Sequence, residues 1–532
     1  MRRKTVIVAL LMGLVATACG GGSSSKSSSP GSTVATAAAD PNAVVNIAGP
    51  EDQWPVQGTG TGAQATTFAY PFNVNVYEPL IYLASDFTLK PGLAESWELL
   101  NGTTWRFHLR HGVTFHDGKA FNADDVMWTW ADRQMRGKTL ATVVNTLGPD
   151  SVKKIDDFTV DFTPKTPNNR LPEQIVHPEG AIVEQNKDFD ASPDAGTGPF
   201  KVVSYTAGQT VVLDRFDGYW GTKAQVQRMN IRFLPDPQTR LEALKSGQVD
   251  LIVDMPANAT ASIESDKAYR LVKSKPGRNF LIYVNKTDGR VTADQAVRQA
   301  VALSINTKDY TQVVFEGNAD PGHYMAPEAV LGSSASLVKA PPFDPKQAAT
   351  LLDQAGWKPG SDGIRAKDGK RLTVKLLGQA DTPAGSGEFI QSQLKAVGIE
   401  TQLIATPDTA TRNTLYSSGK GDFDLDLEGP NQNDGNPAFL PVLRMYSKNP
   451  NTAQFAPGAD FDALAEKTFT APTTAEVQNL SAQMMKILTD DTYLNIPLAG
   501  VYRIFAMSSK VNLTDPHPSN TNQTWFSLTK TK

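Results

Sequence analysis

The side chains of this sequence whose types and spacing could carry chemistry point to holding a molecule rather than remaking it. The densest polar run is Glu428-Gly429-Pro430-Asn431-Gln432-Asn433-Asp434-Gly435-Asn436-Pro437-Ala438-Phe439. Five of the six positions from 431 to 436 are amide or acid side chains, and Phe439 follows them. That combination suits a hydrogen-bonding wall with one apolar contact, and the same residue types also build polar turns; both readings of the loop stand. Tyr283 lies in Phe280-Leu281-Ile282-Tyr283-Val284-Asn285, where strand alternation puts it on one face with Leu281 and Asn285. Arg444 offers a planar fork that can pair with a carboxylate through two hydrogen bonds.

Catalytic arrangements are missing from the sequence. It contains no Gly-x-Ser-x-Gly elbow, Walker loop or zincin helix. The paired acids Asp156-Asp157 and Asp490-Asp491 sit beside turn or helix-end positions, where a structural role is expected. The six histidines, at 108, 111, 116, 177, 323 and 517, form no HxH or HxxxH pair. The expectation is a protein that is not an enzyme, with no cofactor and no metal ligands of its own, although a chelate held through its organic part stays open. A formal charge of −4, or about −7 once Arg2, Arg3 and Lys4 are removed with a leader, gives no basic footprint for nucleic acid.

Those three cations open the chain, and Thr5 to Ala18 follows as an apolar stretch. As a helix it would reach only about 21 Å, short of a ~30 Å hydrocarbon core, so residues 1–18 read as a secretory signal peptide. Ala16-Thr17-Ala18-Cys19 ends it, and Cys19 is the one cysteine of the sequence. The arrangement resembles the lipobox of bacterial lipoproteins, with Ala16 where leucine is usual, and implies lipidation at Cys19. Gly20 to Pro30 is nearly all Gly and Ser, a flexible coil that would hold a body off a membrane. Residues 19–43 are thus expected to be lipid anchor and tether.

Order should begin at Val44-Val45-Asn46-Ile47-Ala48, a first strand. Further strands are expected at Thr104 to Arg110, Phe158 to Phe162, Val211 to Leu213, Met229 to Phe233, Leu372 to Leu376 and Glu400 to Ile404, from period-two alternation or β-rich runs. Helices are expected at Thr239 to Gly247, Asp294 to Ile305, Asp344 to Ala355 and Gly387 to Val397, and Asn122 is placed to cap another. With 532 residues, several packed domains are required, and the mixture predicts an α/β protein with mixed sheets.

Four blocks in order carry a resemblance: Pro91-Gly92-Leu93-Ala94-Glu95-Ser96-Trp97, Trp105 to Arg110, Gly112-Val113-Thr114-Phe115-His116-Asp117-Gly118, and Asn122-Ala123-Asp124-Asp125-Val126. Gly196-Thr197-Gly198-Pro199-Phe200, Tyr219-Trp220-Gly221, Val297-Arg298-Gln299-Ala300 and Phe343-Asp344-Pro345 to Gly356-Trp357 extend it. From about Val45 to Val511 the sequence resembles the bacterial extracellular solute-binding proteins of family 5, from peptide and nickel ABC importers. The resemblance implies a two-lobed periplasmic-binding-protein type II-like fold with an extra inserted subdomain. Lobe I would combine residues 44–72, 197–276 and 496–532; the insert would be 73–196 and lobe II 277–495, with hinge crossings near Gly277 and Asn495.

It further implies a small-molecule ligand, an oligopeptide or similar polar molecule, held between the lobes and passed to ABC permease subunits. The protein would act as a monomer at the outer face of the cytoplasmic membrane, in the cell envelope or periplasm. Peptide-binding members hold the ligand ammonium with an aspartate; aligned on Pro437, that position falls on Asn433, beside Asp434. Phe68, with Thr66 and Thr67, aligns with a segment offering backbone groups to an extended peptide. The expected ligand wall is therefore Asn433, Asp434, Asn436, Phe439, Tyr283, Phe68 and Arg444. An oligosaccharide or polyol, an opine or a metal chelate would serve the same transport role, and a regulatory lipoprotein that lost transport is the remaining alternative.

Overall fold

The computed structural model describes residues 38–50, 74–130, 147, 150–176, 180–187, 195–206, 208–378, 382–406, 411–412, 414–415, 421–430, 432, 434–448, 453–519 and 522–532. Two mixed sheets organise them. The first has seven strands in the order Tyr269–Lys273, Ile504–Ser508, Leu251–Val253, Val44–Gly49, Arg228–Phe233, Thr210–Arg215 and Phe200–Thr206. Val44–Gly49 runs parallel to both neighbours. Its alternation explains its central place: Val45 and Ile47 enter one apolar cluster with Met229 and Leu251, whereas Ala48 joins Leu241, Leu244 and Ile252 on the other side.

The second sheet has six strands in the order Ala319–Pro321, Asn495–Val501, Arg278–Val284, Leu425–Glu428, Thr373–Gly378 and Glu400–Ala405. Parallel pairing joins Thr373–Gly378 to both of its neighbours, and the other pairs are antiparallel. Short-range capping starts the helices around it. Asp294 accepts from Ala296 N at 2.9 Å before helix Gln295–Ser304, and Asp344 accepts from Gln347 N at 2.9 Å before Pro345–Gln354.

Inserted in sequence between strands Val44–Gly49 and Phe200–Thr206 of the first sheet is a four-stranded antiparallel sheet, ordered Ala94–Leu100, Thr104–Leu109, Thr159–Phe162 and Val152–Asp156, with a hairpin of Ile81–Leu83 and Leu89–Pro91. Asn122 caps helix Ala123–Met127 through Asp124 N at 2.8 Å, and Asp125 returns a bond from Asn122 N at 2.9 Å. The apolar interior of this part, including Phe107, Phe121 and Phe162, is continuous with that of the second sheet. Gly196 fixes its other seam: a Cβ there would lie 2.0 Å from Val76 O, so no side chain fits.

The chain passes from the first sheet to the second at residues 274–277 and returns at 502–503. The return corrects the expected position at Asn495. Asn495–Val501 is buried along almost its whole length and pairs with Arg278–Val284 on one side and Ala319–Pro321 on the other. A strand buried on both faces and bonded at both edges belongs to the sheet it fills, so the crossing must wait until it ends. The two crossings are tied together: Ser274 N donates to Arg503 O at 3.0 Å and Arg503 N to Ser274 Oγ at 3.0 Å.

Candidate functional site

At the two crossings a cavity of about 260 Å³ opens between the sheets. Asp254 and Met255, just beyond the Leu251–Val253 strand, line it from the first sheet, and Phe315 and Asn318 from the second. Arg278 and Arg503, one at each crossing, line it as well. Asp254 has φ of 53°, a left-handed backbone unusual for a side chain other than glycine. The buried Arg240 fastens it, with Nη2 donating to Asp254 O at 2.8 Å and Nη1 to Leu234 O at 2.7 Å. The Asp254 carboxylate meets Arg503 Nε at 3.3 Å.

A second charged group lies on the second sheet. Register places Asn495, Tyr283 and Asp426 side by side across three strands, and Leu281 opposite Glu428; directly paired residues share a face. Arg412, only 1% exposed, reaches both acids: Nη2 lies 2.5 Å from Asp426 Oδ2 and Nη1 2.9 Å from Glu428 Oε1. Arg444 Nη2 meets the same Glu428 oxygen at 2.5 Å. Burial pushes the Glu428 carboxyl up, but Arg412, Arg444 and Arg278 outweigh it and hold it down to about 2. Tyr283 is fully buried against Phe455, with ring centroids 5.7 Å apart, and burial drives its phenol well up. Among the described residues neither the Tyr283 hydroxyl nor the Asn495 amide finds a hydrogen-bond partner.

The loop after Glu428 turns its polar groups on itself. Asp434 Oδ1 accepts from Gln432 Nε2 at 2.9 Å and from Asn436 N at 3.1 Å. Asn436 Oδ1 in turn accepts from Ala438 N at 3.0 Å, at the entry to helix Phe439–Met445. Asp434 is buried, and that burial pushes its carboxyl well above the usual carboxylate range. The loop sits against both the first crossing and the hairpin. Gln432 N donates to Gly277 O at 3.1 Å, and a Cβ on Gly435 would lie 3.0 Å from Phe87 O.

The residues singled out from sequence thus separate. Tyr283 and Arg444 gather around Glu428; Asp434 and Asn436 are bound within their own loop; Phe439 begins the next helix, half-buried against the core. Arg444 already faces a carboxylate of the protein, so it differs from the available cation expected. Cys19, Phe68 and Asn433 lie outside the described residues. Sequence reasoning missed Asp254, Arg278, Arg412, Asp426 and Arg503. One signal was present: Asp424-Leu425-Asp426-Leu427-Glu428 alternates acids with leucines, a strand pattern with a charged face. Among the described residues no group of three or more His, Cys, Asp or Glu side chains could hold a metal ion, and no helix is long and apolar enough to cross a membrane.

Two sheets linked by paired crossings, with charged side chains of both converging on a cavity there, define a two-lobed binding protein. The family model described as "Bacterial extracellular solute-binding proteins, family 5 Middle" matches residues 88–452. The chain belongs to this family. It is 30% identical over 375 residues to Protein XP55 of Streptomyces lividans, covering 67% of this chain and 68% of that one. To the peptide transport periplasmic protein SapA of Salmonella typhimurium it is 27% identical over 515 residues, 90% of each. The structure of NikA from Brucella suis in complex with Fe(III)-EDTA superposes with a TM-score of 0.79 at 25% identity, covering 92% of this chain and all of that one. DppA from Helicobacter pylori in complex with the peptide STSA has the same fold, with a TM-score of 0.74 at 22% identity over 92% and 98% of the chains. The chain therefore has the substrate-binding role of an ABC import system, and its fold is the type II periplasmic-binding form.

Proposed function

We propose that this protein is a lipid-anchored receptor that captures an oligopeptide or similar polar small molecule between its lobes and releases it unaltered to the permease subunits of an importer. The observation carrying this reading is the cavity at the crossings. Asp254 and Arg503 bring opposite charges there, and Arg278 adds a second cation. Closure of two lobes about such crossings encloses a guest without any nucleophile or acid–base pair being required. The peptide transport protein SapA, similar over 90% of both chains, supports the peptide reading. The receptor acts as a monomer at the outer face of the membrane, held through Cys19.

Native mass spectrometry of the protein purified from cells tests the ligand class. An oligopeptide receptor should carry a spread of masses differing by residue weights; a single non-peptidic mass would replace the peptide with a chelate, opine or sugar. The anchor is tested separately. Cys19→Ala should shift the protein from the membrane fraction to the soluble fraction, because two acyl chains suffice for stable attachment and none remain; a variant that still pellets with membranes would remove the anchor.

A further inference from the structure

We infer that Arg503 is the anion anchor of the crossing cavity, and that the ligand presents a carboxylate end group to it. The inference rests on the reading of that cavity as the ligand site. Arg503 lies within the second crossing, its backbone fastened in both directions to Ser274 at the first. Its side chain is 11% exposed, and its guanidinium carbon stands 5.0 Å from the centroid of the Phe505 ring. An arginine cannot shed its charge on burial. Nε uses the Asp254 carboxylate at 3.3 Å, but Nη1 is buried and has no hydrogen-bond partner among the described residues. A buried guanidinium N–H left unmade is costly, and an incoming anion that meets it recovers that cost as binding energy.

The charges around the cavity favour the same ligand. Its lining holds two guanidinium groups, Arg278 and Arg503, against the single carboxylate of Asp254. Asp426 and Glu428 are already met by Arg412 and Arg444, which leaves Asp320, the acceptor of the hydroxyl of the lining residue Tyr502, as the other acid beside the cavity. Arg444, the cation the sequence offered for a ligand carboxylate, is held by Glu428 and is not part of this lining, whereas Arg503 is. A volume of about 260 Å³ falls just under the ~300–1,000 Å³ of pockets that enclose a whole small ligand. It suits the acid end of a longer molecule.

The test offers the full-length protein an equimolar pool of di- to pentapeptides free of Asp and Glu, half as free acids and half amidated at the C-terminus, and reads retention by native mass spectrometry. The wild type should retain free acids over amides by about tenfold or more, the worth of one charge-assisted hydrogen bond. Arg503→Gln should lose the preference, and Arg503→Lys, which keeps the charge, should restore much of it. Equal retention of both forms by the wild type, or a preference that survives Arg503→Gln, overturns the anchor and leaves peptide capture standing. Retention of neither form overturns the peptide reading instead, and the mass that co-purifies from cells then decides the anchor. An anionic ligand lost from Arg503→Gln supports it; a ligand with no acid group, or one that Arg503→Gln keeps, overturns it.

Discussion

Arg412→Met should destabilise the protein by about 3–5 kcal/mol, the cost of removing one partner from a buried ion pair. The side chain is nearly unexposed and reaches Asp426 and Glu428 together, so its loss leaves two buried acids without that cation. Methionine fills similar space, and the loss reports charge rather than volume. Double replacement with Asp426→Leu should cost less than the single change, because it removes a buried charge along with its partner. The pH dependence supplies a second readout. Glu428 is held down to about 2 from an ordinary 4.5, with burial opposing and the guanidinium groups prevailing. A depressed carboxyl adds stability that is complete above 4.5 and is lost as the pH falls from there toward 2, about 3 kcal/mol for a shift of this size. Urea unfolding at pH 7 and pH 3 should therefore show a large acid loss in the wild type and a smaller one in Arg412→Met. Equal stability of the two proteins at pH 7 would mean that the cluster does not hold the second sheet together.

The parts of this fold that were legible in the sequence are those decided within a few residues. Asn122, Asp294 and Asp344 each accept a backbone N–H two or three positions later, and a cap of that kind needs no distant partner to be recognised. Strand Val44–Gly49 announces itself by composition. The crossing was misplaced at Asn495 because membership in a sheet is settled by pairing with strands more than 170 residues earlier in the chain, Ala319–Pro321 and Arg278–Val284. The candidate site was legible only in its residue types. Tyr283 and Arg444 stand out by type, and Arg444 looks available because nothing near it in sequence reveals Glu428, 16 positions upstream, on strand Leu425–Glu428. Asp434 looked like an acid ready for an ammonium; its burial and its bonds to Gln432 and Asn436 emerge only once the loop is closed against Gly277 and Phe87. Arg412 and Arg503 gave no pattern at all. Their meaning comes from strands brought together by the fold, and a single long cation usually covers a solvated surface.

Glu78→Ala should loosen the inserted subdomain from the first sheet at a cost of about 3 kcal/mol or more. The Glu78 carboxylate is buried and accepts from the Tyr82 and Tyr219 hydroxyls and from Trp220 Nε1, each at 2.9 Å. Alanine strands three donors at once, each worth about 1–3 kcal/mol when left unmade in the interior. Arg110 stacks over Trp220 at 4.1 Å and would lose the fixed ring beneath it. Glu78→Gln separates geometry from charge. Burial raises the Glu78 carboxyl against the hydrogen bonds from Trp220, Thr197, Tyr219 and Tyr82, the reverse of Glu428. The unfolded chain therefore releases its proton first as the pH climbs past about 4.5, and stability is lost from there up to the raised folded value. Glutamine cannot ionise and carries no such loss. The stability gap between wild type and Glu78→Gln in urea should accordingly narrow between pH 4 and pH 7, whereas the alanine variant stays poor throughout. A gap that is constant across that range would show that folding leaves the Glu78 carboxyl unshifted, and its buried charge would then need a cation beside the three neutral donors.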